Sequence, residues 1–131
     1  MNAAPLTDFS RLCVHTISTK GWELEEAVDR YAKAGVSGIT VWRQWLEGRD
    51  PVKAGETIRA TGLEVVSLCR GGFYPASEQK SRDEAIEDNK KAIEDAAALG
   101  APLVVLVCGA VPGQSLVESR KQITDGIAAT L

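Results

Sequence analysis

Short apolar runs and stretches of helical periodicity alternate along this chain four times. Gly35-Val36 leads into Gly38-Ile39-Thr40-Val41-Trp42. Gly62-Leu63 leads into Glu64-Val65-Val66-Ser67-Leu68-Cys69, and Gly100-Ala101 into Pro102-Leu103-Val104-Val105-Leu106-Val107-Cys108. Each time a glycine closes a helix and an apolar strand begins within a few residues. A first strand is predicted at Leu12–Ile17, so the chain reads as four successive strand–helix units.

The helices between are predicted from spacing and caps. Leu24, Ala27, Val28 and Tyr31 recur at helical intervals over Glu23–Ala34, with Glu23, Glu25 and Glu26 loading the first turn. Asp50-Pro51 opens a second, weakly striped helix that Gly62 ends. Ser81 with Glu84 reads as a capping box for a third helix reaching Leu99, with Ala85, Ile86, Ile93, Ala96 and Ala97 buried. Ser115 with Glu118 reads as another box, for a fourth helix whose Leu116, Ile123, Ile127 and Leu131 line one face.

Strand followed by helix, with strands this apolar, implies a parallel sheet in an α/β fold. Alternation within the strands points further. Leu12, Val14, Ile39, Val41, Val66 and Leu68 fall on one, purely aliphatic, face; Cys13, His15, Thr40, Trp42, Ser67 and Cys69 fall on the other, mixed one. An aliphatic outer face under helices and a mixed inner face describe a (βα)4 half of a TIM barrel, parallel strands with outer helices. A doubly wound, flavodoxin-like sheet would be equally apolar on both faces and would want a phosphate loop. The first strand-to-helix turn, His15 to Gly21, has no glycine-rich fingerprint. Residues 1–131 are read as one domain. Leu131 falls on a core position with no cap after it, which suggests the N-terminal half of something longer.

Fifteen basic and eighteen acidic residues give a net charge of -3, which argues against nucleic acid as a partner. No apolar run approaches the roughly 20 residues of a membrane span, and no secretory signal opens the chain. Cys13, Cys69 and Cys108 all fall on strands and are odd in number, as expected of reduced thiols in a cytoplasmic protein. Cys69 and Cys108 are expected at the same end of neighbouring strands.

In a barrel of this kind the working residues lie at the C-terminal strand ends. His15, the single histidine, can polarise or deprotonate a hydroxyl, or be a hydrogen-bonded core residue. Arg70-Gly71-Gly72 offers a guanidinium and a backbone open to close approach by an anionic or polyhydroxyl ligand; equally, it can be a rim salt bridge and a turn. Trp42 can wall a sugar ring or pack the core, and Arg43 can bind substrate or pair with an acid such as Glu47. His15, Trp42, Arg43, Arg70, Gly71 and Gly72 are therefore the candidate substrate-binding residues. No catalytic residue is assigned. The strand ends carry one histidine and no carboxylate, so no metal site is assigned either.

Ile39-Thr40-Val41-Trp42-Arg43, Ser67-Leu68-Cys69-Arg70-Gly71-Gly72-Phe73 and Ala98-Leu99-Gly100-Ala101-Pro102-Leu103-Val104 together resemble the sugar phosphate isomerase/epimerase family, the xylose-isomerase-like TIM barrels. The resemblance runs from Leu12 to Leu131. It implies a small-molecule sugar or sugar phosphate as ligand, a divalent metal at the barrel mouth, and proton transfer between adjacent carbons of a ketose or related polyol with two glutamates as bases. Those glutamates and the metal ligands belong to strands five to eight, so none of their roles transfers to this chain. The resemblance implies a substrate-pocket role for His15, Trp42 and Arg70. The chain alone is expected to be inactive, with self-assembly through its strand edges or a non-catalytic binding module as alternatives.

Overall fold

The computed structural model describes Pro5 and residues 7–131. Four strands, β1 (Cys13–His15), β2 (Gly38–Trp42), β3 (Glu64–Gly72) and β4 (Val104–Val107), alternate with four helices, α1 (Leu24–Lys33), α2 (Pro51–Ala60), α3 (Gln79–Leu99) and α4 (Leu116–Thr130). The strands form one sheet in the order β1-β2-β3-β4, and each neighbouring pair is parallel. When spatial order follows chain order, right-handed crossovers put every helix on the same face. The fold is a partial TIM barrel. A flavodoxin-like sheet would reverse its strand order at a switch point, and this one does not.

The helix side of the sheet holds the core. Leu24, Ala27, Val28 and Tyr31 of α1, Ala54 and Ile58 of α2, and Ala96 and Leu99 of α3 pack against Ile39, Val41, Val65 and Leu68. Alternation predicted this face except at two residues: Leu12 is exposed, and Val65 occupies the face in place of Val66. Ile39 pairs with Val65 and Thr40 with Ser67, so Val66 is an extra residue in a bulge. Val66 lies on the inner side, where its methyl occupies the space a Cβ on Gly38 would need. β1 and β4 are shorter than predicted. Leu12 is exposed, and the chain after His15 tightens at once into a 3-10 turn, Thr16–Thr19.

Two helix starts behave as their cap residues predict. The Asp50 carboxylate accepts the Val52 N–H at 2.9 Å ahead of Pro51, and Ser115 Oγ accepts the Glu118 N–H at 3.1 Å. The Glu118 carboxylate, however, accepts from Gln122 rather than turning back to the cap. The box predicted at Ser81 is a correction: α3 begins at Gln79, and Ser81 lies inside it. What closes this end instead is Arg82, whose guanidinium donates to the carbonyls of Ala76 and Ser77.

The outer helices are rotated from expectation. α3 buries Asn89, Ala92, Ala96 and Leu99, leaving Ile93 and Ala97 exposed. α4 buries Ser119 and Gly126 while Leu116 and Leu131 stand in solvent. The reason is that α4 leans on α3 and on Tyr74, whose ring fills the space beside Gly126. The C-terminal part of its apolar stripe, Ile127 and Leu131, therefore faces an open groove of about 430 Å3 between β4, α3 and α4, lined also by Ile93, Leu103 and Leu106. Among the described residues no helix is long and apolar enough to cross a membrane.

Candidate functional site

Among the described residues no helix covers the inner face of the sheet, and its side chains are polar where the outer face is aliphatic. Cys13 Sγ lies 3.3 Å from Thr40 Oγ1, and Thr40 Oγ1 lies 2.7 Å from Ser67 Oγ. A thiol and two hydroxyls thus link β1, β2 and β3 in one line. Thr40 and Ser67 are buried, and neither is left without a partner, which is what makes polar atoms tolerable there. These hydroxyls were placed on the inner face from alternation, but nothing in the sequence says that they bond to one another.

Nearer the C-terminal strand ends, the indole N–H of Trp42 donates to Nδ1 of His15 at 3.2 Å. Both residues are half-buried. Their backbones are held from below: the Trp42 N–H donates to Thr16 Oγ1 at 3.0 Å, and the Tyr31 hydroxyl reaches the His15 carbonyl at 3.3 Å. Tyr31 in turn shares a 2.6 Å hydrogen bond with Thr19. Cys69 is the register partner of Trp42 and is buried. Burial pushes its thiol pKa up, against a smaller downward pull from the Arg70 charge, so it is a poor nucleophile. Cys69 pairs with Val105, and Cys108, expected on β4, lies just past its end and is exposed; all three cysteines are free.

The other candidates sit apart from this pair. The expected Arg43–Glu47 pairing is replaced by Asp88 of α3, which receives the Arg43 guanidinium at 2.8 and 2.9 Å. That two-pronged bond holds the Asp88 carboxyl below its ordinary pKa. Arg70 is exposed, extruded by a second irregularity in β3, and its guanidinium lies 4.2 Å from the centre of the Phe73 ring. Arg43, Arg70, Phe73, Asp88 and Lys91 line a cleft of about 600 Å3 at the rim, beside α3 rather than on the inner face. Gly71 and Gly72 have a packing reason to be glycine. A Cβ on Gly71 would meet Asn89 Oδ1, and Gly72 has φ +100 with the Val107 backbone where a Cβ would go.

Trp22 and Trp45 are packing residues. Trp45 donates its indole N–H to the Trp22 carbonyl at 2.8 Å, and Arg30 lies over the Trp22 ring at 4.6 Å. Among the described residues no group of three His, Cys, Asp or Glu side chains converges as a metal site would require. The described residues do not fit a divalent ion.

Over residues 28–131 the sequence matches the family described as xylose isomerase-like TIM barrel. The chain belongs to that family. Solved structures agree with its fold. It is similar to a protein from Sinorhizobium meliloti 1021, at a TM-score of 0.82 and 39% identity, over 92% of this chain and 45% of that one. It is also similar to a xylose isomerase domain containing protein from Salmonella typhimurium LT2, at a TM-score of 0.69 and 16% identity, over 98% of this chain and 49% of that one. A xylose isomerase domain protein from Planctomyces limnophilus is similar at a TM-score of 0.55 and 11% identity, over 95% of this chain and 51% of that one. The chain thus spans about half the length of these solved relatives of the xylose isomerase-like TIM barrel family. No curated protein matches it.

Proposed function

We propose that this chain forms one wall of a sugar-binding mouth in a cytoplasmic isomerase or epimerase of sugars or sugar phosphates. The observation that carries the reading is the inner face. It is polar, free of helices, and crowned at its C-terminal end by the His15–Trp42 pair. An indole beside a hydrogen-bonding imidazole suits a polyhydroxyl ring, which offers an apolar face and many oxygens. Arg70 and Arg43, on the rim, would meet only a charged extension of such a substrate, for example its phosphate.

Proton transfer and any divalent metal belong, on this reading, to the part of the barrel that the solved relatives have beyond the matched half. Support comes from the coverage of those relatives and from the absence of a converging ligand set among the described residues. No catalytic step is assigned to a residue of this chain. The open groove beside β4 fits the same reading, as the seam where four further strand–helix units, in cis or from a second copy, would close the barrel.

The test uses the 15N-labelled chain titrated with D-fructose, D-xylulose and D-fructose 6-phosphate. The Trp42 indole resonance should shift with at least one of them and not in response to a non-carbohydrate control. A resonance that no sugar moves would overturn the proposal. In D2O with Mn2+ or Mg2+ added, the chain alone should place no deuterium in the sugar; incorporation would show that the catalytic groups are already here.

A further inference from the structure

The His15–Trp42 contact admits one direction only. An indole N–H donates and never accepts, so His15 Nδ1 is the acceptor and carries a lone pair. In the neutral ring the proton then sits on Nε2. Among the described residues none bonds Nε2, and the His15 ring is half-buried rather than enclosed. Cys13, two residues back on β1, reaches Thr40 on the inner face, so strand alternation puts the His15 side chain on that face too.

We propose that Trp42 is a positioning residue that holds neutral His15 as its Nε2–H tautomer, making the histidine a hydrogen-bond donor to an acceptor oxygen in the barrel mouth. This goes further than the sugar reading and rests on it only for what the acceptor belongs to, a carbonyl or hydroxyl oxygen of the sugar. It separates two roles that are equally open from the sequence. A ring whose Nδ1 is already engaged and whose Nε2 bears the proton polarises a substrate oxygen and does not abstract a proton from it. The same tautomer keeps His15 from acting as a metal ligand, because a neutral imidazole coordinates through the nitrogen that lacks the proton. The Thr16 and Tyr31 bonds to the two backbones keep the rings in register while the indole chooses the tautomer.

Because His15 is the chain's single histidine, long-range 1H–15N correlation spectra of the labelled protein report its two ring nitrogens without ambiguity. They are recorded at a pH where the imidazole is neutral. The expected result is one tautomer, Nε2 protonated and Nδ1 bare. Trp42→Phe keeps an aromatic ring and removes the N–H; it should give averaged shifts from a mixture of tautomers, with amide spectra elsewhere unchanged. A protonated Nδ1 in the wild-type chain, or the same tautomer balance in both proteins, would overturn the proposal. Sugar is then added. A move of the Nε2–H resonance supports the donor role, and Nδ1 gaining the proton on sugar binding overturns it. The correct tautomer with no response to any sugar supports the positioning role of Trp42 and counts against the sugar reading instead.

Discussion

Asn89 and Gly72 are joined side chain to backbone in both directions. The Gly72 N–H donates to Asn89 Oδ1 at 2.6 Å, and Asn89 Nδ2 donates to the Gly72 carbonyl at 2.8 Å. A further bond from Nδ2 to the Ala85 carbonyl ties the same amide into its own helix. Asn89 is buried, so these bonds fasten the last residue of β3 to α3 where water cannot replace them.

Asn89→Ala should therefore destabilise the chain by about 2 kcal/mol, because the Gly72 N–H and C=O would be left buried and unpaired. Urea unfolding of the two proteins at neutral pH checks this. A loss within about 0.5 kcal/mol, the range of an ordinary surface change, would show that the pairing is dispensable.

The Arg43–Asp88 pair predicts a pH dependence with a definite sign. The Arg43 hydrogen bonds depress the folded pKa of Asp88 below its unfolded value. Its stabilisation is therefore fully present above the unfolded value of about 4 and is lost as pH falls through the folded value. The Asp88 side chain is 57% exposed, so solvent screening limits the effect. Asp88→Asn should cost roughly 0.5 kcal/mol at pH 7, in the range of exposed pairs, and the difference from wild type should vanish in acid. A gap that widened on acidification would contradict the pairing.

The three thiols should separate by reactivity. Cys108 is exposed and should react first with a thiol reagent, Cys13 more slowly, and Cys69 last, since burial both shields it and raises its pKa. Cys108→Ser should remove the fast phase and nothing else. A fast phase that survives the substitution would mean that the inner face opens readily.

The groove beside β4 predicts association. Leu103 is 51% exposed and Leu106 41%, both lining it, and no described strand pairs with the outer edge of β4. In native mass spectrometry the isolated chain should appear as a dimer or larger species, and Leu103→Asp should shift it towards monomer. A wild-type monomer at all concentrations would argue against pairing between copies.

Strand–helix order, the four parallel strands and the inner position of His15, Thr40, Trp42 and Ser67 were all legible in the sequence, because period-two alternation and glycine stops act locally. What escaped was set by contacts across the fold. The burial of Asn89 follows from two glycines that sit against α3, and no helical periodicity marks an asparagine as core. The pairing of Arg43 with Asp88 joins residues far apart in the chain, so a nearer acid, Glu47, looked equally suitable. The exposure of Ile93 and Leu131 reflects a groove that no described element fills, and an apolar stripe reads the same whether it is covered or not.

The bulge at Val66 makes one position of β3 expendable. Val65 faces the helices, Val66 and Ser67 share the inner side, and Leu68 faces the helices again. Removing Val66 would leave the order outward, inward, outward unbroken. Shortening β2 by one residue would instead exchange Thr40 with a core aliphatic. Val66 is thus a spare link, a place where this strand's length can drift by one without turning the barrel inside out.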